Sequence, residues 1–216
     1  MRKYLPVLIS GIASGAFLGI GVVIYLALYK INKILGALIF GMFLYGLVMF
    51  NVLLYNEKIG YVLEKKYKFI FDIILGGIGN FTGMGLFCLF MMNTSAGPKL
   101  MDIAEIVALA KLNASYLSII LHSTLCGGMI YLVVIWNKNW KTVFGRIFIF
   151  VFSSLAFVIL GYGYCIGNFG YFTLSSEFDH IDTYLRLALM IVSNLVGSIL
   201  MYFGIYFRNK YEIKNR

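Results

Sequence analysis

The sequence has little charge and little proline. Of its 216 residues, 12% are charged, whereas soluble domains carry about a quarter, and only two residues are proline. The charges that are present lie between long apolar stretches, which is the distribution of an integral membrane protein. This pattern excludes an ordinary soluble domain.

Groups suited to catalysis or metal binding are also scarce. The sequence has no carboxylate pair, nucleophile triad or phosphate-binding loop, and we interpret Asp72 as the only acidic residue near a membrane span. The three cysteines, Cys88, Cys126 and Cys165, lie in apolar runs without metal-ligand spacing, which favours small buried residues. We therefore expect neither an enzyme nor a cofactor or metal site.

The apolar stretches predict six membrane spans. Each has roughly the 20 residues needed to cross the hydrocarbon layer. The first is too long for the apolar region of a signal peptide and lacks a convincing cleavage site, so we expect it to remain as a span. The predicted spans are 5–29, 34–55, 69–92, 112–136, 147–168 and 185–207.

The net charge of +9 follows from membrane topology. With six spans, thirteen of the 18 Lys and Arg residues fall on the side that holds the N-terminus, the 56–68 and 137–146 loops and the C-terminus. Because cytoplasmic loops carry the excess of Lys and Arg, both termini are predicted to lie in the cytoplasm. We expect a multi-pass protein of the cell membrane that contacts lipid and does not bind nucleic acid.

Two spans contain interruptions, and the chain repeats itself weakly. The fifth predicted span breaks at "GYGYCIGNFG" (161–170), and the second loses its apolar run at "NEKIG" (56–60). "GNFTG" (79–83) in the third span recurs as "SNLVG" (193–197) in the sixth, where Asn80 corresponds to Asn194. This predicts one domain, 1–216, of two inverted halves, about 1–96 and 97–216. Paired broken helices in inverted halves are typical of transporters and channels.

These motifs, in this order, resemble the formate/nitrite transporter family. "GIASGAFLGIG" (11–21) is similar to its glycine-spaced first helix, and "LLYNEKIGY" (53–61) to the re-entrant loop after the second helix. "GNFTG" and "SNLVG" resemble the Gly-Asn motifs of the third and sixth helices. "GYGYCIGNFGYF" resembles the fifth-helix signature, usually Gly-Phe-Glu-His-x-x-Ala-Asn-Met.

The resemblance implies an all-α, aquaporin-like fold with helices two and five interrupted. It also implies a homopentamer with one pore per protomer, passing small monovalent anions such as formate, nitrite or hydrosulfide. Carried over residue by residue, it places two aromatics at an outer constriction, a leucine at a cytoplasmic constriction, a lysine at the entrance and three polar residues along the path. These are Phe40, Phe157, Leu54, Lys111, Asn56, Tyr164 and Asn168.

The departures from the family pattern affect the expected mechanism. The signature histidine is Tyr164 here, the glutamate before it is Gly163, and the usual fourth-helix asparagine is Gly127. Tyrosine has a pKa near 10, so it donates a hydrogen bond but does not titrate near neutral pH. Proton-coupled transport is therefore in doubt. Tyr164 is either a donor to the anion or a packing residue whose hydroxyl bonds its own backbone.

Other assignments stay open on the sequence alone. Lys58 belongs either to the re-entrant loop or to the ordinary topology lysines, and His122 either bonds a backbone carbonyl or serves transport. Two alternatives stand beside an anion pore: a channel for a small neutral or weakly acidic solute, and a non-transporting family member. Carrier and channel mechanisms are not distinguished.

Overall fold

The structure, a computed structural model, describes residues 4–63, 68–175 and 181–214, and its described elements are all helices. They are α1 (Leu5–Leu28), α2 (Lys33–Met49), α3 (Tyr55–Lys58), a 3₁₀ helix (Ile59–Leu63), α4 (Lys68–Met92), α5 (Gly97–Leu112), α6 (Tyr116–Asn139), α7 (Val143–Ile159), α8 (Cys165–Ser175) and α9 (Ile181–Lys214). Three helices begin at side-chain caps. Asn32, Ser115 and Thr142 each accept a hydrogen bond from the backbone N–H three residues on.

Within the described ranges, four helices are long and apolar enough to cross a membrane. These are α1, α4, α6 and α9, whose most apolar 18-residue windows have mean hydropathies of 1.8 to 2.3. They correspond to the predicted spans 5–29, 69–92, 112–136 and 185–207. The helices α2 and α7 are apolar but have 17 residues each. The chain is an all-helical integral membrane protein.

The second and fifth predicted spans end earlier than the apolar pattern indicates. Helix α2 stops at Met49 and α7 at Ile159, and each is followed by a non-helical segment, 50–54 and 160–164. We call these segments the first and second interruptions. "NEKIG" (56–60), which we predicted as a break, is helical in α3 and the 3₁₀ helix. The region left between the third and fourth spans contains the additional helix α5.

Asn80 of α4 holds the first interruption. Its Oδ1 accepts a hydrogen bond from the N–H of Tyr55 at 2.7 Å, and its Nδ2 donates to the carbonyl oxygen of Leu53 at 2.8 Å. Two serines of α1 bond the same segment: Ser14 Oγ donates to the Leu53 carbonyl at 2.7 Å, and Ser10 Oγ accepts from the Leu53 N–H at 3.1 Å. Non-helical backbone at membrane depth requires such partners, because lipid offers none.

Asn194 of α9 holds the second interruption in the same way. Its Oδ1 accepts from the N–H of Cys165 at 3.2 Å, and its Nδ2 donates to the carbonyl of Gly163 at 2.8 Å. In both halves the bonded N–H belongs to the first residue of the short helix, and the bonded carbonyl lies two residues earlier. The sequence match between Asn80 and Asn194 therefore marks equivalent structural roles.

Glycines bring these asparagines into reach. A methyl group added at Gly15 of α1 would collide with the backbone carbonyl of Asn80, and one added at Gly127 of α6 would collide with that of Asn194. The pairs α1/α4 and α6/α9 thus pack with their backbones in contact, as small residues allow between membrane helices. Gly127, which the resemblance aligns with a fourth-helix asparagine, therefore has a packing role.

The cysteines are confirmed as core residues. Cys88, Cys126 and Cys165 are all fully buried in the hydrophobic core. Within residues 4–63, 68–175 and 181–214, no group of three or more His, Cys, Asp and Glu side chains is placed to hold a metal ion.

Candidate functional site

A cavity of about 280 Å³ opens beside Lys111, and we call it the Lys111 cavity. Five of the residues predicted from the family resemblance line it: Phe40, Lys111, Phe157, Tyr164 and Asn168. They come from α2, the end of α5, α7, the second interruption and α8. Residues far apart in the sequence therefore meet around one space.

Aromatic rings form part of the wall of this cavity. Phe40 and Phe157 are both buried, and the Phe40 ring lies edge-on to the Tyr164 ring with centroids 6.2 Å apart. The Phe157 ring lies 6.1 Å from that of Tyr162. The family resemblance places an aromatic constriction at these two phenylalanines, and both rings line the cavity.

Beyond the rings lies a second cavity of about 10 Å³, which we call the neck. Leu54 and Glu57 line it from the segment of the first interruption and α3, and Phe157 and Tyr164 line it from the other half. Leu54 is fully buried. A space of this size holds about one water molecule at most. Asn56 lies in α3, but its side chain is outside the described residues.

Tyr164 borders both the Lys111 cavity and the neck. Its side chain is 5% exposed, and its hydroxyl has no hydrogen-bond partner among the described residues. This geometry does not match a packing tyrosine whose hydroxyl bonds its own backbone. A buried hydroxyl without a partner is costly, so its position between two cavities suggests a ligand or water as its acceptor.

Asn168 is buried on α8, one turn after Tyr164. Its Nδ2 donates to the backbone carbonyl of Tyr164 at 2.9 Å, and its Oδ1 has no partner among the described residues. The side chain thus ties the first turn of α8 together. Its free atom is an acceptor, so an anion would bond here only through the second hydrogen of Nδ2.

Glu57 is a neck residue that the sequence reasoning missed. We interpreted Asp72 as the only acidic residue near a span, but Glu57 in α3 is 3% exposed and faces the neck. Its Oε1 has no hydrogen-bond partner in the part of the chain that the structure describes. The available signal was its position directly after the loop motif "LLYN", within the segment predicted to re-enter the membrane.

Lys111 contacts the second interruption. Its ammonium group donates to the backbone carbonyl of Gly161, with a longer contact of 3.5 Å to that of Tyr162. Gly161 has φ of 65°, a left-handed conformation that glycine adopts readily. Burial at the end of α5, outside the long spans, lowers the pKa of Lys111 to about 8. The lysine therefore lines the cavity and also fixes the backbone of the interruption.

His122 lines the Lys111 cavity as well. Its ring lies 5.8 Å from the ring of Tyr162 at an angle of 40°. This places the histidine on the wall of the cavity rather than at the neck, where the family resemblance expects the central histidine and Tyr164 stands instead.

A third cavity, of about 540 Å³, lies beside Lys58, and we call it the Lys58 cavity. Lys138 and Tyr61 also line it, with the Lys138 ammonium 4.0 Å from the centroid of the Tyr61 ring. Lys58 Nζ donates to Oδ1 of Asn51 in the first interruption at 2.8 Å. Lys58 is therefore part of the loop structure, which was one of its two open interpretations.

The chain is similar in sequence to a known membrane-protein family and in fold to solved channels. It matches the family model described as "Formate/nitrite transporter" over residues 1–208, and no curated protein sequence matches it. A "pentameric formate channel with formate bound" superposes with a TM-score of 0.75 at 16% identity, covering 100% of this chain and 99% of that one. An "FNT family ion channel" superposes with a TM-score of 0.76 at 20% identity, covering 94% and 90%. The solved structures share this fold, and the match along nearly the whole sequence places the chain in the formate/nitrite transporter family.

Proposed function

We propose that this chain conducts small monovalent anions, such as formate, nitrite or hydrosulfide, along one path in each protomer. The path runs from the Lys111 cavity past Phe40 and Phe157, by Tyr164 through the neck and past Leu54 to the Lys58 cavity. The observation that carries the proposal is the set of residues around these cavities. The Lys111 cavity and the neck share Phe157 and Tyr164, and the Lys58 cavity is lined by Leu53 and Lys58, the chain neighbours of the neck residues Leu54 and Glu57.

Each part has a physical task in anion passage. Lysines raise the local anion concentration at the two entrances. The buried rings and Leu54 exclude water and larger solutes, and such an apolar constriction blocks ions by remaining dry. The Tyr164 hydroxyl replaces part of the lost hydration with an O–H bond to the anion, which is a strong type of hydrogen bond. Asn56 stays a proposed path residue, and Asn168 supports the turn that carries Tyr164.

The full architecture is part of the proposal. The six crossings are α1, α2 with α3, α4, α6, α7 with α8, and α9, arranged as two halves of three, 1–96 and 97–216. Because three is odd, the second half enters the membrane inverted, which gives an aquaporin-like repeat. The equivalent bonds of Asn80 and Asn194 support it. The lysine and arginine bias places both termini in the cytoplasm of a cell membrane protein.

The proposed assembly is a homopentamer in lipid, with a pore in each protomer. Support comes from the solved pentameric formate channel, 99% of which this chain covers. Cross-linking in membranes tests this directly, and products that stop at dimers or tetramers contradict it.

A second candidate is a channel for a neutral or weakly acidic solute. The narrow neck favours it, because a neutral molecule loses far less hydration there than an anion does. A non-transporting family member is the remaining alternative, and any specific flux excludes it.

An uptake screen in liposomes distinguishes these functions. Formate, acetate, nitrite, hydrosulfide and a neutral solute are supplied to the reconstituted protein at two pH values. An anion pore gives saturable flux of the small anions, whereas flux of the neutral solute alone supports the second candidate. Leu54→Trp fills the neck and abolishes flux; Leu125→Trp, at an exposed position of α6, is the matched control and preserves it. Equal flux in both variants contradicts the proposed path.

A further inference from the structure

The neck contains an acidic side chain that an anion path does not explain. Glu57 is 3% exposed, and Oε1 of its carboxyl has no partner among the described residues. It shares a space of about 10 Å³ with Tyr164 and otherwise mainly with apolar side chains. An anion that passes the neck therefore passes within contact distance of this carboxyl group.

Among the described residues, no Lys or Arg side chain forms an ion pair with the Glu57 carboxyl. The next residue, Lys58, directs its ammonium group to Asn51, and Lys138 of α6 lies over Tyr61 of the 3₁₀ helix. The other titratable groups on neighbouring elements are phenols and thiols, namely those of Tyr55, Tyr131, Tyr164, Cys126 and Cys165. On α4, Asn80 bonds the backbone of α3 and Gly77 packs against Tyr55. Helices α2 and α7 line the neck with apolar side chains and Ser153.

The charge state of such a carboxyl decides what passes. When it is ionised, the neck presents a fixed negative charge at low dielectric, which repels an anion strongly. When it is protonated, the carboxyl is neutral and offers an O–H donor beside the hydroxyl of Tyr164, so two donors face a passing anion.

We propose that the Glu57 carboxyl is the acid–base gate of this pore: anions pass the neck while it is protonated and are excluded while it is ionised. The inference rests on the proposed anion path. It assigns the titratable function to the first half of the chain, whereas the family resemblance expects a histidine at position 164. The proton exchanges with water in the Lys58 cavity, which the adjoining Lys58 lines.

The test is anion flux in proteoliposomes between about pH 5 and about pH 9, comparing the unmodified protein with Glu57→Gln. Formate and nitrite stay ionised throughout this range. Glutamine keeps the shape and a donor but cannot ionise. Both proteins retain Lys111, so dividing the flux of Glu57→Gln by that of the unmodified protein isolates the effect of Glu57. We expect this ratio to rise at least about tenfold from the lowest to the highest pH, because only the unmodified neck becomes negatively charged. Asp72→Asn, which removes an acid outside the neck, leaves the pH dependence of flux unchanged.

The outcomes separate the inference from the proposed function. No anion flux at any pH in either the unmodified protein or Glu57→Gln rejects the anion path itself. Flux whose ratio to that of Glu57→Gln stays constant with pH rejects the gate and leaves the path in place. If the variant does not assemble, infrared spectroscopy of the unmodified protein decides: a carboxylic-acid C=O band persisting above about pH 6, where solvated carboxyls are ionised, supports the gate, and its absence overturns it.

Discussion

The two interruptions are held alike but differ in charge. In each, an asparagine from the neighbouring long helix bonds the first N–H of the short helix and the carbonyl two residues before it. The first interruption leads into a helix that carries Glu57 and Lys58. Residues 160–175, which contain the second interruption and α8, have no charged side chain and receive Lys111 from α5 instead.

The comparison shows that the residues that hold the interruptions are distinct from the residues that line the neck. Both asparagines satisfy backbone groups that lipid leaves without partners, so both halves keep them. The groups that face the neck are under no such structural requirement. Glu57 enters from one half and Tyr164 from the other, and the equivalent positions hold Gly167 and Leu54, which carry no polar side-chain group.

The largest expected effect comes from removing the shared scaffold. Asn80→Ala and Asn194→Ala each leave several buried backbone groups without partners, at a cost of about 3 kcal/mol or more in the free energy of unfolding. Chemical unfolding of the protein in detergent measures it. Asn93→Ala is the control, because that exposed amide, one residue after α4, bonds only the last turn of α4 among the described contacts. We expect it to change stability by less than about 0.5 kcal/mol. A loss for only one of the two buried asparagines contradicts their equivalence.

The next largest effect comes from removing the Tyr164 hydroxyl in the second interruption. Tyr164→Phe keeps the ring and removes the hydroxyl. A hydrogen bond to a charged group contributes about 1.5–3 kcal/mol, so anion flux falls about tenfold or more. Tyr45→Phe is a matched control, because Tyr45 is also buried with a hydroxyl that lacks a partner in the described chain, yet it does not line the three cavities. Normal flux through Tyr164→Phe identifies Tyr164 as a packing residue.

Lys111 gives a smaller, pH-dependent effect. A lysine is charged below its pKa, here about 8, and neutral above it, so anion attraction by Lys111 weakens as pH rises through about 8. The measurement uses Glu57→Gln, where the proposed gate does not titrate. Nitrite uptake then declines above about pH 8, and Lys111→Arg, which stays charged, removes the decline. A decline that persists in the arginine variant assigns it to another group.

Added salt separates attraction from structure at Lys111. Screening acts within about 10 Å at 0.1 M, so the cost of Lys111→Ala through lost attraction is greatest at low salt. A cost independent of salt assigns the lysine to its bond with Gly161.

The smallest expected effect comes from Arg186, which fixes the end of α5 and so the position of Lys111 against the second interruption. Arg186 is buried on α9, where its guanidinium donates to the carbonyls of Lys111 at 3.3 Å and Ala114 at 2.5 Å. Lysine cannot reproduce this fork, so Arg186→Lys loosens the end of α5 and lowers stability by about 1 kcal/mol and flux by about twofold. Arg146→Lys, at an exposed carbonyl contact, is the control for thermal unfolding and uptake.

Local pattern predicted much of the fold. Long apolar stretches located α1, α4, α6 and α9. A glycine-rich segment located the second interruption, and the loss of an apolar run located the region of the first. The first interruption was placed too late, because hydropathy continues to Tyr55 while the backbone leaves the helix after Met49. What ends α2 is bonding to Asn80, Ser10 and Ser14 on other helices, which hydropathy along one segment does not reveal.

The sequence predicted five residues of the Lys111 cavity but missed Glu57 in the neck. Phe40, Lys111, Phe157, Tyr164 and Asn168 came from motif correspondence, and they line one cavity. Glu57 was not identified because a glutamate beside a lysine is usual in a solvated loop. Only packing of the first interruption against the second half buries it.

The size of the neck affects whether protons can cross the membrane through the pore. A continuous file of water between the two lysine-lined cavities would relay protons and dissipate the electrochemical gradient on which the cell depends. A space of about 10 Å³ between Leu54 and Tyr164 has room for about one water and so breaks that file. Because the neck has room for about one water, each conducted anion requires a transient widening of the neck.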